Sequence, residues 1–238
     1  MRSRVLYSTS LTAITLARNF GHMSKSANLQ RLLDAILVAV IRAPSGDRLV
    51  EVAEALIAGG VTNLEVTFTV PQAHQVIRRL REHVGQRALV GAGTVLDIAT
   101  AELAIEAGSQ FVVSPITDPA LIDYCKSRDC LVMPGALTPT EIHTAWKSGA
   151  DIVKVFPADV AGPGYFKAIH GPLPEVRLMP TGGVNLQTVG DFLVAGACAL
   201  GVGGALVSPK LIEQGDFAEI ESRAKQYVEA VRAARTAS

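Results

Sequence analysis

The sequence predicts a single (β/α)8 TIM barrel. Eight short apolar runs recur with centres roughly 20 to 27 residues apart, the length of one strand, one helix and two short loops. Amphipathic segments with helix start and stop signals fill the intervals. No Pro/Ser-rich linker divides the 238 residues, a length that suits one such barrel. The rival arrangement, an open doubly wound sheet, needs a Gly-rich dinucleotide fingerprint after an early strand, and none is present.

The stretch 1–30 carries Arg2, Arg4, Arg18 and Lys25 and is followed by its first acid only at Asp34. Such a composition fits a transit peptide, or translation from a start codon placed too far upstream with Met23 as the natural start; the second is preferred. The stretch is therefore set aside from the fold, with an extension over 1–24, disordered or not native, and a barrel domain over 25–238.

The first strand is expected in ILVAVIRA (36–43). Leu49, Val52, Leu56 and Ile57 then recur at helical spacing, and Gly59-Gly60 supplies the stop. In the second run, NLEVTFT (63–69), Leu64, Val66 and Phe68 should face the helices, which turns Glu65 to the interior. ALVGAGT (88–94), FVVSP (111–115) and LVMPGA (131–136) follow. After them TPTE sets Thr138 as an N-cap, Pro139 at the first helical position and Glu141 as the reciprocal cap. IVKVF (152–156), RLMPTGG (177–183) and ALGVGG (199–204) complete the eight.

Composition narrows the function. With 22 basic and 22 acidic residues there is no electrostatic footprint for nucleic acid or an anionic membrane, so the expected partner is a small molecule. Cys125, Cys130 and Cys198 make neither a C-x-x-C pair nor an even framework, which suits free thiols in a reduced, cytoplasmic protein. The five histidines, His22, His74, His83, His143 and His170, show no metal-ligand spacing.

In a barrel the chemistry sits at the C-terminal ends of the strands. An interior Glu65 is costly unless it is paired or does proton transfer. Lys154, central in the sixth run, is either a desolvated amine able to attack a ketone or a packed stem whose head reaches solvent or Glu65. Gly182-Gly183 and Gly203-Gly204 end the seventh and eighth runs, where barrels hold phosphate on backbone N–H groups; ordinary tight turns are the alternative. Arg42 is placed to fork onto an anion, and Thr94 to offer a hydroxyl, although both positions also suit structural roles.

Taken in order, EALIAGGVTNLEVTFTVP, VGAGTVL, VSP, MPGALTPTE, VKVFPA, PTGGVN and GVGGALV resemble the 2-keto-3-deoxy-6-phosphogluconate (KDPG) aldolases, also known as 4-hydroxy-2-oxoglutarate (KHG) aldolases. The resemblance implies that Lys154 forms a Schiff base with substrate and that Glu65 transfers protons. Thr94 would contact the pyruvoyl carboxylate, Pro115 and Phe156 would line the pocket, and Thr181 would lie near the hydroxyls that set stereochemistry. Gly182, Gly183, Gly203 and Gly204 would cradle phosphate. A 2-keto-3-deoxy sugar acid and pyruvate would be the ligands, with no cofactor or metal, in a homotrimer. Two positions depart from the better-known branch: Thr69 stands where many members have arginine, and Ala205 where many have serine. Arg42 is then expected to take over anion binding. These changes leave open 2-keto-3-deoxy-6-phosphogalactonate or an unphosphorylated 2-keto-3-deoxy acid as preferred substrate.

Other classes remain as alternatives. A phosphate-binding isomerase or synthase would share the doublets without needing Lys154 and Glu65. A metal-assisted decarboxylase would need an Asp/Lys cluster near the third strand, where only Asp97 stands. A non-catalytic phosphate-binding barrel would form no imine.

Overall fold

The structure is a computed structural model and describes residues 23–236. The proposed extension therefore lies outside the described residues but for Met23 and Ser24. Strands occupy all eight expected places: β1 (Leu37–Ile41), β2 (Asn63–Thr67), β3 (Leu89–Gly93), β4 (Phe111–Val113), β5 (Leu131–Met133) with β6 (Gly135–Ala136), β7 (Val153–Val155), β8 (Leu178–Pro180) and β9 (Leu200–Val202). The fifth run is two strands because Pro134 interrupts it, and proline has no N–H to give to a ladder. All pairings are parallel, in a curled six-stranded sheet of order β5-β4-β3-β2-β1-β9 and a three-stranded sheet of order β6-β7-β8. One parallel bridge, Thr181 to Gly201, joins them along β8 and β9. The architecture is thus an α/β fold with a curled parallel sheet.

Helices follow the strands where the start signals place them. The first of these, α2 (Leu49–Ala58), buries Leu49, Val52 and Leu56 completely, and α3 (Ala73–Val84) follows β2. In α6 (Pro139–Lys147) the Thr138 hydroxyl accepts from the Glu141 N–H at 3.3 Å, while the Glu141 carboxylate accepts from the Thr138 N–H at 2.7 Å. Asp97 is likewise a cap: its carboxylate accepts from Thr100 N–H at 2.7 Å at the start of α4 (Ile98–Glu106). That structural task accounts for the lone acid after the third strand.

One helix is absent from the sequence expectations. Helix α1 (Lys25–Ala35) starts on Ser24, whose hydroxyl accepts from Ala27 N–H, and buries Asn28 and Leu32. Lys25 reaches Asp151 at 2.9 Å. Fully buried Leu32 joins Val38, Leu89, Phe111, Leu131, Ile152, Met179 and Ala199 in a cluster separate from the strand–helix core. The cluster also holds Val113 and Met133, the last residues of β4 and β5, so it is the inward-facing set along the strands. Helix α1 itself lies where the strands begin, since Gln110 before β4 donates to Asn28 Oδ1, Arg31 donates to Gln86 O before β3, and Lys25 pairs with Asp151 before β7.

The strand–helix core takes the other set of side chains. Leu64 and Val66 are fully buried within it and Phe68 packs against it, as the alternation requires. Among the described residues no helix is long and apolar enough to cross a membrane.

Candidate active site

The inward residues of β2 form a polar column. Asn63, Glu65 and Thr67 are all fully buried. Asn63 Nδ2 donates to Leu37 O at 3.0 Å and Thr67 Oγ1 to Ile41 O at 3.1 Å, so both ends of the column are tied to β1. Glu65, between them, is not tied: neither carboxylate oxygen has a hydrogen-bond partner. Space for that carboxylate comes from Gly93 on β3, where a Cβ would overlap Glu65 Oε1. Glycine is required here for close approach rather than for its φ.

Lys154 projects from the centre of β7, in register with Gly135 on one side and Met179 on the other. It is 3% exposed, which rules out a head that snorkels to solvent. Its Nζ lies 4.9 Å from the centre of the half-buried Phe156 ring. Burial lowers the lysine pKa below its ordinary range; the Glu65 carboxyl opposes that shift and Arg42 reinforces it. Burial raises the Glu65 pKa, with Lys154 and then Arg42 opposing. Desolvation thus outweighs the mutual attraction in both groups, and each is moved toward its neutral form. No ion pair joins them among the described residues. A buried amine whose pKa is lowered, together with an unpaired buried carboxyl, suits addition to a carbonyl followed by proton transfer.

Thr181 follows β8 and is 3% exposed, and its Oγ1 has no hydrogen-bond partner. A Cβ on Gly201 of β9 would overlap that oxygen, so again a glycine admits a polar side chain. Beyond it, Gly182 and Gly183 hold φ of 95° and 72°, a left-handed region that glycine enters without a Cβ penalty. That conformation supports the tight-turn role as well as close approach to an anion. Gly203 and Gly204 are not in that region; Gly203 is half-buried and Gly204 exposed with open space around it.

Arg42 directly follows β1 in an exposed position, and its Nη1 is 3.4 Å from where a Cβ on Gly203 would stand. The first strand's arginine is therefore brought to the second doublet. Ala205 is exposed, and its carbonyl accepts from Arg223 Nη1 at 3.2 Å. Pro115 is half-buried, its backbone against Gly135. Thr94 is half-buried at φ 58°, a left-handed conformation that strains a β-branched residue. Thr69 is exposed at the end of β2, with Oγ1 2.7 Å from Thr67 Oγ1.

Two further residues join this region without having been singled out in the sequence. Asp159, exposed after β7, lies along the first doublet: its Oδ1 is 3.4 Å from a Cβ position on Gly182, and its Cβ is 2.8 Å from that on Gly183. Thr67 orients Thr69. Inward parity from Glu65 marks Thr67, whereas no spacing rule reaches Asp159 across the turn after Phe156. Cys125, Cys130 and Cys198 are free; burial pushes Cys125 and Cys198 up to about 12 and Cys130 higher still, so none is a thiolate at neutral pH. Among the described residues no group of three or more His, Cys, Asp or Glu side chains is placed to hold a metal ion.

Comparison with known proteins points to one family. The family model described as KDPG and KHG aldolase matches residues 29–223. The 2-dehydro-3-deoxy-phosphogluconate aldolase of Pseudomonas aeruginosa is 36% identical over 208 residues, covering 86% of this chain and 94% of that protein. The KHG/KDPG aldolase of Escherichia coli is 36% identical over 199 residues, covering 82% and 92%. Among solved structures, the KDPG aldolase of Legionella pneumophila, with pyruvate captured at low pH as a covalent carbinolamine intermediate, superposes with a TM-score of 0.78 at 28% identity over 83% of this chain and 96% of that one. A match that spans nearly all of the described strands and helices, at identities of this size, places the chain in a lyase family: it belongs to the KDPG and KHG aldolases.

Proposed function

We propose that the protein is a class I aldolase that cleaves KDPG to pyruvate and glyceraldehyde 3-phosphate, and 4-hydroxy-2-oxoglutarate to pyruvate and glyoxylate. The observation that carries this reading is the pair of buried groups on β2 and β7: an amine 3% exposed and a fully buried carboxyl without a hydrogen-bond partner. The Lys154 amine adds to the C2 ketone and water leaves, giving an imine. Once protonated, the imine draws in the electrons of the C3–C4 bond as it breaks. Glu65, directly or through a water, takes the proton of the C4 hydroxyl, so the aldehyde departs and an enamine remains. Protonation at C3 and hydrolysis release pyruvate and restore the amine.

Thr94, Pro115 and Phe156 are assigned to the pyruvoyl end. Thr181, with its unpartnered hydroxyl, is assigned to the substrate hydroxyls. The phosphate is assigned to the two glycine doublets with Arg42, whose guanidinium is close to Gly203, and to the backbone around Ala205. No cofactor enters this mechanism.

We further infer that the two sheets are arcs of one complete (β/α)8 barrel. The support is the pairing of β5 with β4 on one side and of β6 with β7 on the other, since these two strands are one run interrupted at Pro134. The Lys154 N–H donates to Pro134 O at 2.9 Å, which carries the ladder across that interruption. Exposed Leu96, Ile98, Leu103 and Ile116, on α4 and the loops after β3 and β4, support self-association as a homotrimer. The free thiols support a reducing, cytoplasmic setting.

Incubation with pyruvate and borohydride tests the central claim. A reduced adduct of lactyl-sized mass is expected on the peptide containing Lys154. An adduct on another lysine, or none in a protein that still releases pyruvate from KDPG, would refute the assignment; no adduct and no cleavage would favour a non-catalytic phosphate-binding barrel.

A further inference from the structure

The turn after β9 offers backbone donors to solvent. Gly204 and Ala205 are exposed, and among the described residues neither of their N–H groups has an acceptor. The Gly203 carbonyl, by contrast, accepts from the Leu206 and Val207 N–H groups, each at 2.9 Å, which closes the turn. Ala205 adds no hydroxyl, and nothing lies within 4 Å of a Cβ position on Gly204. An anion drawn here by Arg42, whose Nη1 is 3.4 Å from the Cβ position on Gly203, therefore meets bare backbone.

Two glycines in succession make such a turn loose, because neither has a Cβ to narrow its backbone angles. The restraint comes from the C-terminal helix, Phe217–Thr236. Half-buried Arg223 donates from Nη1 to the Ala205 carbonyl at 3.2 Å and from Nε to Glu219 Oε1 at 2.7 Å, so the guanidinium is itself held. The peptide unit that carries the Ala205 carbonyl also carries the Leu206 N–H, which is bonded to Gly203 O. That planar unit is fixed on both sides, to the turn and to the helix. Donors ordered before the anion arrives lose less entropy when it binds.

We propose that Arg223 is a positioning residue for the phosphate end of the substrate: through the Ala205 carbonyl it holds the turn after β9 so that the Gly204 and Ala205 N–H groups are preset for the anion. The inference rests on the aldolase reading above and deepens it. Arg223 acts through the backbone and is given no contact with the substrate.

Pyruvate has no phosphate and engages only the Lys154 end, so it separates anion positioning from general damage. In Arg223→Met, KM for KDPG should rise about three- to tenfold, the size of one hydrogen bond, with kcat within about twofold and the rate of pyruvate trapping on Lys154 unchanged. Glu219→Ala tells a held donor from a bare charge. It frees the guanidinium and removes a negative charge, so lost positioning raises KM for KDPG, whereas simple attraction of phosphate to a more positive surface lowers it. An unchanged KM in Arg223→Met, an equal loss of KDPG cleavage and pyruvate trapping, or a KM in Glu219→Ala that is unchanged or lower would overturn the inference. Should Arg223→Met not fold, Glu219→Ala decides alone. Unsubstituted protein that neither cleaved KDPG nor trapped pyruvate would instead bring down the aldolase reading itself, before any variant was compared.

Discussion

Glu65 and Lys154 differ in what each loses when replaced. Glutamine at position 65 keeps the size of the side chain under Gly93 but removes the proton acceptor. Turnover in Glu65→Gln should therefore fall by about 10² to 10⁴, the usual contribution of a positioned acid/base. Imine formation also needs proton transfers and should slow, yet the pyruvate adduct should still accumulate on Lys154, because water can replace a missing base where time allows. Normal turnover in this variant would make Glu65 structural, even though no hydrogen bond holds it. The lack of a partner is what separates it from Asn63 and Thr67 on the same strand, both of which are tied to β1.

Among the elements, those with a dense local signal were the legible ones. Each strand is legible because a short apolar run buried on both faces needs no partner to be recognised. The start of helix α6 is legible to the residue in its capping box. The break at Pro134 was not drawn from LVMPGA, although the missing N–H at proline is its cause. Helix α1 was missed because its sequence, KSANLQRLLDA, follows an acid-poor stretch with which it was set aside, and because only Asn28 and Leu32 are buried along it. Glu65 and Lys154 could be picked out as polar residues inside apolar alternation. Asp159 could not, since it reaches Gly182 and Gly183 only through a tertiary turn. The neglected helix gives a test at this scale. Leu32→Ala would remove a fully buried side chain from the inward-facing cluster of the strands and should cost about 2–5 kcal/mol in chemical denaturation. Trapping of pyruvate on Lys154 in the folded variant should be unchanged, because the Leu32 carbonyl sits at the start of β2, accepting from Asn63 Nδ2 at 3.4 Å, two residues before Glu65. A loss of stability under about 1 kcal/mol, within the range of surface substitutions, would mean that α1 is a loosely attached appendage.

For the molecule as a whole, the buried pair is a charge on stability, and its pH dependence has a definite sign. The Glu65 pKa is raised above its ordinary 4.5, so the folded chain keeps a proton that the unfolded chain releases; stability is lost as pH rises from 4.5 through the folded value. The Lys154 pKa is lowered below its ordinary 10.5, so the unfolded chain holds a proton that the folded chain binds poorly; stability is lost as pH falls from 10.5 through the folded value. Both penalties act between those limits, whereas below 4.5 only the lysine contributes and above 10.5 only the glutamate. A double variant, Glu65→Gln with Lys154→Met, removes both ionisations at nearly constant volume. It should be inactive and more stable than the unsubstituted protein by about 1–4 kcal/mol at neutral pH, as when a buried charged pair gives way to uncharged packing. The half-buried Glu54, held at a pKa of about 2 chiefly by Arg87, titrates alike in both proteins and cancels from the difference. Urea denaturation at pH 4, 7 and 10 should show the advantage of the double variant widest at pH 7 and narrower at both extremes. An advantage that is absent at pH 7, or that does not change across the three, would mean that neither group is desolvated enough to be neutralised, and the supply of free amine at Lys154 would need another source.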